Sequence, residues 1–161
     1  MKSLYAYFAN GLSTMALEVP VASSPAVHNV MVANKSTNTK PELVVRGAIR
    51  EAGFPGYRLH WRIDDSDGKY ICRPDITFPG RKLAIFVHGC FWHRCSRCKL
   101  NLPKTNTDYW SEKFNRNEER DRRKERSLGE MGWTVRTIWE CNLGGGASEV
   151  VEFLEKLENR P

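Results

Sequence analysis

The run His88-Gly89-Cys90-Phe91-Trp92-His93-Arg94-Cys95-Ser96-Arg97-Cys98 carries three thiols, two imidazoles and a Phe-Trp pair within eleven residues. Thiolates and imidazoles bind borderline-soft metals, and imidazole also moves protons near neutral pH. Cys90, Cys95 and Cys98 stand on one segment, and Cys141 lies at the end of a later strand candidate. Four cysteines brought together in this way close a tetrahedral zinc site, which leaves no open position and is structural. His93 is an alternative ligand in place of one cysteine. A second feature is Asp75, which follows Pro74 inside an otherwise strand-like pattern, where an unpaired carboxylate is costly. It needs either a lysine or arginine partner or a divalent cation. Magnesium takes one or two carboxylates plus waters and phosphate oxygens. Asp75 and the backbone carbonyl of Val87, at neighbouring strand ends, could supply the protein's share.

Positioning these groups falls to an alternating pattern of helices and strands. Pro41, Glu42 and Gly53 bracket a short helix over 41–52. Three strand candidates follow: 57–63, 70–77 and 82–87, separated by Asp64-Asp65-Ser66-Asp67-Gly68 and by Pro79-Gly80. The loop 88–107 holds the cysteines and histidines. A long helix is predicted over 108–131 behind Thr107 as its cap and Gly132 as its stop. A last strand over 133–140, a turn at Gly144-Gly145-Gly146 and an amphipathic helix over 147–158 close the chain. On the long helix Trp110, Phe114, Asn117, Asp121 and Leu128 share one face, and Asp121 there is placed to orient a histidine.

The 161 residues suit one domain with its own core. Five cysteines, an odd number with three clustered, fit metal binding in a reducing compartment better than a disulfide framework. A cytoplasmic location is therefore expected. Residues 1–28 read as an extension without order, with Met15 and Met31 as alternative starts, and 29–161 as the folded domain. Nothing in the sequence is long and apolar enough to span a bilayer. The net charge is +6, and 88–126 alone holds eleven Lys or Arg against six Asp or Glu. Such an excess fits a polyanion, although alternating signs over 116–126 equally fit a solvated helix face with internal pairs.

The motifs Asn38-Thr39-Lys40-Pro41-Glu42, Arg73-Pro74-Asp75, Phe86-Val87-His88-Gly89-Cys90-Phe91-Trp92-His93, Tyr109-Trp110, Asn117-x-x-Arg120-Asp121 and Trp139-Glu140-Cys141 occur in this order. Taken together, this series resembles the very short patch repair (Vsr) endonucleases. The resemblance implies an α/β, restriction-endonuclease-like fold: a mixed sheet flanked by helices, with a structural zinc site. It also implies a magnesium-dependent nick in one strand of double-stranded DNA, 5′ of the thymine of a T:G mismatch left by deamination of 5-methylcytosine. By the same resemblance Asp75 would hold magnesium with the Val87 carbonyl, and His93 would be the general base. His88 would assist at the metal-bound water or leaving group, with Glu42 behind as a further acid. Cys90, Cys95, Cys98 and Cys141 would hold zinc. Phe91, Trp92, Trp110 and Met31 would reach into the DNA, while Asn117 and Asp121 would support the catalytic groups. Mismatch-repair proteins are the implied partners, and the chain is expected to act as a monomer without a membrane.

The chemistry of the residues agrees with those roles. Phosphodiester hydrolysis needs an activated water and a group that neutralises charge on the phosphate. A wedge between base steps must be large, apolar and rigidly held, because unstacking is costly. The zinc set reads as all cysteine where the family often includes a histidine. Residues 83–87 also lack the Glu-x-Lys of many restriction enzymes. Two rival readings stand beside this one: a nuclease of the same fold that cuts matched DNA in defence, and a silent zinc module that binds DNA without cutting.

Overall fold

The computed structural model describes residues 37–159 and, before them, 18–21, 24, 25 and 29. The expected boundary after residue 28, and Met31 with its expected DNA contact, lie in or beside the stretch outside the described residues. The first helix, α1 (Lys40–Glu51), starts on a reciprocal cap. The Glu42 N–H donates to Thr39 Oγ1, and the Thr39 N–H and hydroxyl donate to the Glu42 carboxylate. Two short strands follow, β1 (Arg58–Leu59) and β2 (Ile63–Asp64), then β3 (Tyr70–Cys72), β4 (Ile76–Phe78) and β5 (Leu83–His88). The long helix α2 (Thr107–Glu130), β6 (Thr134–Trp139) and α3 (Leu143–Glu158) complete the order.

The main sheet runs β1-β4-β5-β6, antiparallel except for the parallel β5–β6 pair, and β2 with β3 forms a separate antiparallel ribbon. A parallel pair needs a crossover connection, and the cysteine loop with α2 supplies it. One face of the sheet packs α1 and α3 through Val45, Ile49, Ile76, Leu83, Ile85, Ile138, Val150 and Leu154. The other face carries Ala84, Phe86 and Leu128 with Ile63 and Cys72 of the ribbon. Cys72 is fully buried, and burial pushes its thiol up to about 11, in keeping with a core role. Among the described residues no helix is long and apolar enough to cross a membrane.

The mixed sheet between helices matches the predicted α/β class, but four local expectations give way. At the cap position of α2 stands Asn106 and not Thr107, without a side-chain cap hydrogen bond. The stretch 57–63 is not one strand: it breaks after Leu59, where His60 takes φ +48°. The stretch 70–77 breaks at Arg73-Pro74-Asp75, where Pro74 has no N–H to donate to a ladder, so its halves belong to two different sheets. Gly144-Gly145-Gly146 is no turn but the first turn of α3. A Cβ on Gly146 would come within 2.7 Å of Ile138 Cγ2, so glycine there permits the close approach of α3 to β6.

Candidate active site and metal centre

The break between β3 and β4 puts Asp75 beside the end of β5. The Val87 N–H donates to Asp75 Oδ2 at 2.8 Å, which pins the carboxylate across the two strands. Among the described residues no lysine or arginine forms an ion pair with it. Burial raises the Asp75 carboxyl above its ordinary range, with the Glu42 carboxylate adding to the rise and the Val87 N–H opposing it. Arg46 acts on Asp75 only through its charge and not through a direct ion pair among the described residues, and a half-buried carboxylate with one backbone donor fits a divalent cation. Glu42 is buried and already engaged: it accepts from the Asn38 N–H at 3.0 Å and from Arg46 Nη2 at 2.5 Å.

One residue beyond Val87, His88 is buried at the strand end and stacks on His93, ring centroids 3.8 Å apart and planes 9° apart. Burial, then the charge of His93, pushes His88 down to about 3. His93 differs in its partner: its Nδ1 lies 2.5 Å from Asp121 Oδ2 on α2. Burial alone would raise Asp121, yet the hydrogen bond and charge of His93 outweigh it and hold the carboxyl below its usual range. A proton on Nδ1 shared with Asp121 leaves Nε2 as the basic nitrogen. Asp75, Val87, His88 and His93 line one cleft of about 700 Å³, together with Glu42, Arg73, Trp92, Lys124 and Glu140.

The loop that carries His93 also gathers the cysteines. Cys90, Cys95, Cys98 and Cys141 place their sulfurs within 4.8 Å of one another, and Cys95 Sγ lies 3.7 Å from Cys141 Sγ. A tetrahedron with Zn–S bonds of about 2.3 Å has edges of roughly 3.8 Å, so the donor set has the spacing of a four-thiolate site. Its proton affinities tell the same story. Burial pushes Cys90 up to about 12 and contact with Cys141 raises Cys98. Cys95, which burial would also raise, falls to about 7 through N–H groups of Cys98 and Arg97. Four sulfurs this close cannot all ionise without a cation among them. His93, the alternative ligand, is instead turned toward Asp121.

The aromatics form one cluster above α2. Phe91 makes edge contacts with Trp92, Trp110 and Phe114 at centroid distances of 5.2, 5.7 and 5.1 Å. Trp110 is buried at the base of this group, whereas Phe91 and Trp92 remain partly exposed. Asn117, also buried, donates from Nδ2 to the Trp92 carbonyl at 3.0 Å and so fixes the loop to the helix. Two residues of the site carried no assigned role in the sequence. Glu140 Oε2 accepts the Cys90 N–H at 3.2 Å; its motif, Trp139-Glu140-Cys141, was the available signal. Lys124 Nζ lies 3.7 Å from Asp121 Oδ1 and 5.6 Å from the Phe86 ring centre, and its place one helical turn beyond Asp121 was readable.

The family model described as DNA mismatch endonuclease Vsr matches residues 24–99. The chain is 46% identical over 110 residues to the type II nicking enzyme V.XorIIP of Xanthomonas oryzae pv. oryzae, covering 68% of this chain and 75% of that one. It is 42% identical over 130 residues to the type II nicking enzyme V.NaeI of Lentzea aerocolonigenes, 80% of this chain and 76% of the relative. Against the DNA mismatch endonuclease Vsr of Escherichia coli the identity is 40% over 104 residues, 64% of this chain and 65% of the other.

Proposed function

Because the chain belongs to the Vsr family and is a DNA endonuclease, we propose that it nicks one strand of a duplex 5′ of the thymine in a T:G mismatch, using magnesium at Asp75. The observation that carries this reading is the cleft shared by a half-buried carboxylate held by one backbone N–H, Asp75, and a histidine backed by a carboxylate, His93 on Asp121. We read the fold as restriction-endonuclease-like and 29–161 as the nuclease domain, with mismatched double-stranded DNA as its partner.

Asp75 and the Val87 carbonyl are the groups that would hold magnesium, which when bound neutralises charge growing on the phosphate. His93 Nε2 takes the proton of the attacking water, and Asp121 holds the ring in the tautomer that keeps Nε2 free and stabilises the imidazolium that results. His88, kept neutral by burial, acts beside it as a hydrogen-bonding imidazole at the water or the leaving oxygen. Glu42 ties Arg46 and the start of α1 behind Asp75. Cys90, Cys95, Cys98 and Cys141 would hold zinc and so tie down the loop that presents His93, Phe91 and Trp92; the last two, braced by Trp110, enter the stack beside the mismatch. The names of the relatives, a mismatch endonuclease and nicking enzymes, support this choice over a silent binding module.

Strand-labelled duplexes with T:G, T:A and C:G pairs test it. The thymine strand of the T:G duplex alone should be nicked when magnesium is present, with Asp75→Ala inactive. Asp121→Asn should slow the nick by about 10²–10⁴-fold, the range of a lost acid–base contribution. Equal cutting of matched duplexes would replace the mismatch substrate with matched DNA, and an unchanged Asp121→Asn rate would remove Asp121 from the mechanism.

A further inference from the structure

Asp75 reaches the cleft from a break in the sheet, and one imidazole beside that break has no part in the chemistry above. Arg58 lies opposite Thr77 and Leu59 opposite Ile76. The next residue on each strand is therefore His60 on one side and Asp75 on the other, at the point where pairing ends. His60 takes φ +48°, a left-handed conformation uncommon for residues other than glycine, with histidine among the side chains better able to adopt it. Its Nε2 is shielded from solvent and has no hydrogen-bond partner among the described residues. A shielded polar nitrogen left unpaired is a rarity that calls for a reason, and backbone strain at the same residue is the kind that function retains. Burial is the largest influence on Asp75, and His60 is among the groups that oppose it, so the two side chains are electrostatic neighbours.

We infer that His60 is a positioning residue for Asp75: its Nε2, unpaired in this structure, is the side-chain group that closes on the carboxylate and fixes its orientation when a divalent cation binds. Carboxylates that ligate metals are themselves hydrogen-bonded by surrounding groups, and loss of such a partner weakens the metal rather than the chemistry alone. The Val87 N–H is one such partner in this structure; the His60 imidazole, next to Asp75 in register and with its Nε2 unpaired, is the side chain left to supply another. This inference rests on the reading of Asp75 as the cation ligand.

The test uses the full zinc-loaded chain. Manganese binding without DNA is followed by electron paramagnetic resonance, and the magnesium dependence of nicking is measured in parallel. His60→Ala should raise both the manganese Kd and the half-saturating magnesium concentration about tenfold, while the rate at saturating magnesium stays within about threefold of the parent. His60→Asn tolerates the left-handed backbone but cannot place a polar atom where Nε2 lies, so it carries the same expectation if the alanine variant fails to fold. His60→Gln, which can reach that position, should restore both values. Unchanged manganese affinity in His60→Asn, or a lower maximal rate with the magnesium dependence untouched, would overturn the inference. Asp75→Ala separates the two readings. If it leaves manganese binding intact, the assignment of Asp75 fails and the role of His60 with it; if it abolishes binding while the His60 variants bind normally, the role of His60 alone fails.

Discussion

His88 and His93 are stacked ring on ring, yet they meet the solvent and their neighbours in different ways. His93 has a carboxylate on Nδ1, whereas His88 lies against Phe86 and Trp139 with centroids 6.0 and 5.4 Å away. Two imidazolium rings at this separation would repel, and burial together with the charge of His93 holds the His88 ring neutral. The same asymmetry has a cost in acid. His88 falls from an ordinary 6.5 to about 3 in the folded chain, so between those values the unfolded chain binds a proton that the folded chain does not. Stability therefore rises with pH across that window: the His88 contribution is complete above about 6.5 and lost as pH falls toward 3. In urea unfolding the parent's midpoint should drop more steeply between pH 6.5 and about 4 than that of His88→Gln, since the comparison cancels the carboxylates and thiolates common to both. Identical slopes would show that His88 is not held neutral by the fold.

At the level of elements, the contact between α3 and β6 shows how a position can read one way in sequence and serve another end. Three glycines in a row signal a turn, but Gly146 lies buried in a helix against the β-branched Ile138. Gly146→Ala adds helix propensity worth about 1 kcal/mol but forces a methyl into a contact of 2.7 Å with a buried, stiff side chain. Overpacking of that kind costs about 1–3 kcal/mol, so a net loss is expected. In a double-mutant cycle, Ile138→Ala should cost less in the Gly146→Ala background than alone, and simple additivity would mean that the clash is not the cause. The same limit governed the strands. The turn residues at 64–68 and at Pro79-Gly80 marked 57–63 and 70–77 as extended, and the apolar run 83–87 marked the strand between them and α2. Their division between two sheets depended on His60 and Pro74, whose effect is set by tertiary partners. The cysteine spacing and Asp121 on the inner face of α2 were legible because they follow local periods. The stacking of His88 on His93 was not, since it needs the loop to close from strand end to helix across four sulfurs.

For the molecule as a whole, two surfaces must meet the same duplex. Most of the chain's charge of +6 falls on residues 88–126, the segment that also carries His88, His93, Phe91, Trp92 and Trp110, and under the proposed function that segment meets both phosphates and bases. These contributions separate experimentally because they respond to different variables. Each phosphate neutralised by Lys or Arg steepens the fall of log K with log[salt] by roughly 0.9. Binding of the uncleaving Asp75→Ala chain should thus weaken with salt on both T:G and matched duplexes. Removing Arg73, exposed at the cleft, should reduce the slope by about one on both. Phe91→Ala should leave the slope alone and instead move the ratio of T:G to matched affinity toward parity. A wedge is repaid chiefly where a mispair already weakens the stack, and Phe91 makes its contacts with aromatic rings rather than charges. If Phe91→Ala altered the salt slope while sparing the ratio, the cluster would serve to shape the basic surface, and mismatch preference would have to come from the cleft itself.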